Sequence, residues 1–103
     1  MKRYRLSSTA QADFEEAAEF WRSKSIAAEE RWEARLLDAL QHIADWPDSG
    51  YTRTVIDTSP STRFWTVEDY IIMYDSSAEP IFVLSILHGA RDIPHVIKER
   101  REK

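Results

Sequence analysis

Two runs in the second half of the chain, YIIMY (Tyr70–Tyr74) and PIFVLSILH (Pro80–His88), are apolar on both faces of a strand. Strand side chains alternate between faces, so Ile81, Val83, Ser85 and Leu87 share one side while Phe82, Leu84, Ile86 and His88 share the other. In the same way Ile71 and Met73 oppose Tyr70, Ile72 and Tyr74. A strand with two apolar faces needs cover on both. One layer of helices covers one side; the other calls for the tail of the chain, aromatic self-packing or a second chain. Ile71 and Met73 are therefore candidate partner contacts on that second face.

The first half supplies one covering layer. In SSTAQADFEEAAEFWRSK, Ser8 and Gln11 have capping-box spacing, and Ala10, Phe14, Ala17, Ala18 and Trp21 recur at helical intervals opposite Asp13, Glu15, Glu16, Glu19 and Arg22. After the break at SKS, Trp32, Leu36, Ala39, Leu40 and Ile43 form a second helical stripe that Pro47 brings to an end. So short a break makes the two helices an antiparallel hairpin. RYRLS (Arg3–Ser7) alternates as a first strand. YTRTVI, TRFWTV, YIIMY and PIFVLSILH follow one another through DTSPS, ED and DSSAE, which is the pattern of an antiparallel meander. IPHVIKERREK fits either a short terminal helix or a frayed tail. The expectation is one α+β domain over residues 1–103, with an N-terminal strand and helix hairpin packed on a four- to five-stranded antiparallel sheet.

Charge and composition narrow the function. The net charge is −4, with seven Lys/Arg and ten Asp/Glu in residues 1–50 and seven and eight in residues 51–103, so neither half carries the basic footprint of a general or sequence-specific nucleic-acid binder. With no cysteine, thiolate zinc sites and disulfides are excluded, which fits a reducing compartment. No apolar run reaches signal-peptide or membrane-span length, so a soluble, cytoplasmic protein is expected.

Few residues are left to carry chemistry. His42, His88 and His95 lack metal-ligand spacing on a common element, and there is no phosphate-binding glycine loop or serine elbow, so neither metal nor cofactor is expected. Arg63 opens one strand and Arg91 follows another, and arginine suits bidentate phosphate or carboxylate recognition unless an acid such as Glu68, Asp69 or Asp92 engages it. In ILHGARDIP, Gly89 turns the chain and Asp92 caps the terminal segment. Lys98, Arg100, Arg101 and Lys103 make KERREK the densest basic run in the chain.

Four stretches in order, YRLSSTAQADFEEAAEFW, RLLDALQHIADWPDSG, TRFWTVEDYIIMYD and ILHGARDI, resemble the RelE/ParE toxin superfamily, in its ParE-like branch, over nearly the whole chain. The resemblance implies the toxin of a type II toxin–antitoxin pair, a hetero-oligomer with a cognate ParD-like or other short DNA-binding antitoxin, and DNA gyrase as target of a non-enzymatic inhibitor. On that view Ile71, Met73, Arg91, Lys98, Arg100 and Arg101 are partner-binding residues. RelE-like relatives are instead ribosome-dependent mRNA endonucleases; here Arg63 and Arg91 match two of the basic residues, while Ile97 stands where a late tyrosine is customary. A detoxified homologue that only binds antitoxin is a third expectation. Glu68 and Asp69 replace the glycine more usual in the VEDY turn.

Overall fold

The computed structural model describes residues 4–54 and 56–101. Its elements are β1 (Tyr4–Leu6), α1 (Ser8–Lys24), α2 (Ile26–Asp45), a 3-10 turn (Pro47–Ser49), β2 (Thr62–Val67), β3 (Tyr70–Asp75), β4 (Ile81–His88) and α3 (Ile93–Arg101). The sheet order is β1-β4-β3-β2. Strands β2, β3 and β4 form the expected antiparallel meander, but β1 lies parallel to β4, so the α+β sheet is four-stranded and mixed rather than wholly antiparallel. The helix hairpin sits between β1 and the rest of the sheet in sequence. Between β1 and β2 the chain passes from one edge of the sheet to the other, and the Tyr51 segment runs antiparallel to β2 before β2 itself enters parallel to β1.

Helix α1 begins one residue earlier than the capping-box spacing predicts: Ser7 is the cap, its hydroxyl accepting the Ala10 N–H at 3.0 Å. Ser25 performs the same service for α2, with Ala28 N–H at 2.9 Å, so one serine break both ends α1 and starts α2. The stripe Trp32, Leu36, Ala39, Leu40 and Ile43 is buried against Tyr70, Ile72, Tyr74, Ile81, Val83 and Ile86 of the sheet, with Ala10, Ala17 and Ala18 letting α1 approach closely.

Strict alternation fails at one point in β4. Met73 pairs with Ser85 but Tyr74 pairs with Val83, leaving Leu84 as an extra residue. The bulge puts Ile86 on the hairpin face with Ile81 and Val83, and sends Leu84 and Leu87 to the opposite face. That opposite face is covered by the chain itself. Phe64, Met73 and Leu87 pack beneath Ile93 and Ile97 of α3 and beneath Ile56, with Ile71, Leu84 and Val96 at the margin. The tail is thus a helix, capped as expected by Asp92, whose carboxylate accepts the His95 N–H.

Among its described residues the run YTRTVI forms no strand, and only Tyr51 pairs, exchanging hydrogen bonds of 2.9 and 2.7 Å with Phe64 at the outer edge of β2. The chain then turns, with the Ile56 and Asp57 N–H groups both bonding Arg53 O, and drops Ile56 into the second core. Arg3, Val55 and Lys103 of the predicted first strand, second run and tail lie outside the described residues. In the two-residue β2–β3 turn Glu68 has φ 52°, the left-handed region that favours glycine. Its carboxylate is held by Arg35 of α2.

Candidate functional site

Strand β1 is three residues long and β4 eight, so β1 pairs only Ile81–Val83 and leaves the rest of that β4 edge without a strand partner. Side chains close the first part of the gap. The Ser7 hydroxyl donates to Leu84 O at 3.0 Å, and Asp13 Oδ2 accepts the Ile86 N–H at 2.9 Å. Asp13, whose side chain is only 8% exposed, also receives Arg100 in a bidentate pair at 2.9 and 2.8 Å, and the same guanidinium reaches Ser85 Oγ at 2.9 Å. Since α1 and α3 lie on opposite faces of the sheet, this pair is a clasp around its edge. Its hydrogen bond to Asp13 raises the Arg100 pKa, against the opposing effect of burial.

Beyond the clasp, the β4 edge and α1 diverge into a cleft of about 360 Å³. Ala17 and Phe20 of α1 form one wall and Ile86, His88 and Tyr70 the other, with Glu16 and Arg91 at the rim. Phe20 is 50% exposed, an aromatic side chain outside the buried stripe of α1. The His88 ring lies edge-on to Tyr70 at 5.2 Å, and its Nδ1 accepts the Ala90 N–H at 3.0 Å, so the neutral ring carries its proton on Nε2. Tyr70 is in turn fixed by the Trp21 indole N–H, 3.2 Å from its hydroxyl. Arg91 is exposed, and its guanidinium makes no hydrogen bond or ion pair with the described residues. Of the two alternatives the sequence left open for Arg91, engagement by Glu68, Asp69 or Asp92 is therefore not the one found among the described residues.

The other sequence candidates are placed elsewhere. Arg63 is engaged in the scaffold: its Nη1 bonds Gly50 O at 2.7 Å and Asp48 O at 3.3 Å, and its Nε lies 3.6 Å from Asp48 Oδ1. Arg63 pairs with Tyr74 and His88 with Tyr70, four residues along β3, so two strand spacings and that offset separate Arg63 from His88 by about 16 Å. Met73, 4% exposed, lies under α3, and Ile71 is half-buried beside it. An incoming partner cannot reach Met73 without moving α3. Arg101 is held by Asp57 and by Ile56 O, and Arg100 by Asp13, so of the basic tail residues Lys98 alone among those described remains exposed without a partner.

Periodicity passed over Phe20, Glu16 and His88. An aromatic residue outside the apolar stripe of α1 was the available signal for Phe20; only tertiary structure joins it to the end of β4. Among the described residues no three His, Asp or Glu side chains gather as metal ligands, and no helix is long and apolar enough to cross a membrane. No curated protein matches the chain. The family model of the ParE toxin of type II toxin–antitoxin systems matches residues 4–93, from β1 to the start of α3, and the chain therefore belongs to that family.

Proposed function

We propose that this toxin acts in the cytoplasm by a protein contact on DNA gyrase, and that its antitoxin relieves the block. The carrying observation is the engagement of Arg63 by the Asp48 and Gly50 carbonyls, about 16 Å from the His88 end of β4 where Arg91 lies. Two arginines that would have to converge on one phosphate are built into separate parts of the molecule. The net charge of −4 also opposes docking on ribosomal RNA.

One observation favours a second reading, cleavage of mRNA. His88 and Arg91 line the same cleft beside Tyr70, which would place a hydrogen-bond donor, the imidazole Nε2–H, and a phosphate-binding cation within one pocket. Two assays on one preparation separate the readings. Purified toxin should increase cleaved DNA in a gyrase reaction and leave mRNA intact in a translating extract, as mapped by primer extension. Codon-specific cuts lost in His88→Ala and Arg91→Ala, with gyrase unaffected, would establish the second reading instead.

A further inference from the structure

With the second sheet face closed by α3, the cleft between α1 and the open β4 edge is an apolar recess that stays open to a partner. Its walls select a chemistry. Phe20 and Ala17 offer apolar surface opposite Ile86, and the mouth carries the cation of Arg91 as well as the Glu16 carboxylate. Arg22, Arg35, Arg63, Arg100 and Arg101 each meet a carboxylate of their own chain, from Glu29, Glu68, Asp48, Asp13 and Asp57; Arg5, Arg31, Arg53 and Arg91 meet none among the described residues, and of these four Arg91 lines the cleft. An exposed, unpaired guanidinium beside an apolar recess complements a carboxylate set next to a large apolar side chain. The backbone adds a third element. Alternation along β4 turns the His88 N–H to the same side as the Ile86 N–H that Asp13 caps, so main chain laid in the cleft has a donor to meet.

We infer that an extended segment of the antitoxin docks here, seating one large apolar side chain against Phe20 and Ala17 and placing an adjacent carboxylate on Arg91. This rests on the toxin–antitoxin reading and adds to it the location and the chemistry of the contact.

Two experiments test it. In the first, 15N-labelled toxin is titrated with 3-phenylpropionate, which joins an aromatic ring to a carboxylate, and with the neutral 3-phenylpropionamide. Amide shifts should concentrate at Ala17, Phe20, Ile86, His88 and Arg91, be weaker for the amide, and vanish in Arg91→Glu but not in the charge-matched control Lys98→Glu. Shifts centred elsewhere, or unchanged by Arg91→Glu, would overturn the assignment. In the second, the full-length product of the adjacent reading frame is titrated against wild-type toxin and the variants, with circular dichroism confirming their fold. Arg91→Glu and Phe20→Ser should each weaken binding about tenfold or more, and Lys98→Glu by less than about threefold. Tight wild-type binding that neither cleft variant weakens would refute the cleft and leave the toxin–antitoxin reading standing. No wild-type binding at all would remove that reading and the inference with it.

Discussion

Removing the clasp at the sheet edge should cost far more than removing an ordinary surface ion pair. In Arg100→Ala the Asp13 carboxylate, 8% exposed, loses both guanidinium bonds and keeps only the Ile86 N–H. Stripping one partner from a buried pair costs about 3–5 kcal/mol; because Arg100 is itself 27% exposed and water can follow, about 2 kcal/mol is the better expectation. For a domain of this size that is a fall in Tm of roughly 8–16 °C. Asp13→Ala should cost at least as much, since it also strands the Ile86 N–H. The double variant should lose less than the sum, with a coupling of about 1–2 kcal/mol. Urea unfolding followed by far-UV circular dichroism measures all four corners of the cycle. Additive losses, or a loss in Arg100→Ala below about 0.5 kcal/mol, the level of an exposed pair, would refute the clasp.

Tyr74→Phe deletes a hydroxyl that donates to Pro47 O at 2.7 Å and accepts the Gly50 N–H at 3.0 Å, so it should cost about 1–3 kcal/mol in the same unfolding assay. Gly50→Ala places a Cβ against that hydroxyl and 2.8 Å from Phe64 O, and overpacking should lower stability by about 1–3 kcal/mol although the backbone there, at φ −71°, suits any residue. Ile97→Ala, which opens a cavity beneath α3, should cost about 2–4 kcal/mol and increase hydrogen exchange in α3 before the hairpin. Burial of Asp57 acts to raise its pKa, but hydrogen bonds from Ser59 and Thr62 and the Arg101 charge outweigh it and leave the carboxyl below its ordinary 3.8. The stability this contributes is complete above that value and is lost as pH falls through the folded-state pKa; Asp57→Asn should therefore be less stable near neutrality and lose less between about pH 4 and pH 2.

The helix hairpin was legible because burial repeats every three or four residues in α1 and α2 and a serine marks each start. The doubly apolar β3 and β4 likewise declared a two-sided cover, and the tail, one of the covers the pattern allowed, supplies it. Three features escaped. The parallel entry of β1 depends on where a long crossover returns, which a three-residue strand cannot encode locally. The Leu84 bulge inverts the faces of Ile86 and Leu87, and nothing in the apolar run marks which residue is extra. The basic tail looked free because its partners, Asp13 and Asp57, lie more than forty positions away in sequence. The candidate site was half visible: Arg91 stood out once Gly89 and Asp92 were explained by the turn and the cap. Phe20 and His88, the walls of the recess, come together only when α1 crosses the β4 edge. That crossing also bears on a tail deletion as a probe of function. Cutting after Ile97 removes Arg100 and Arg101 and with them both ionic anchors of α3, so it tests stability as much as target contact.

The most direct measurement is the effect of purified toxin on gyrase. In a supercoiling reaction with relaxed plasmid, gyrase and ATP, the toxin should block supercoiling in a dose-dependent way, with linear DNA appearing after detergent and protease treatment, and an equimolar amount of antitoxin should restore the supercoiled product. Full supercoiling in the presence of excess folded toxin would contradict the account.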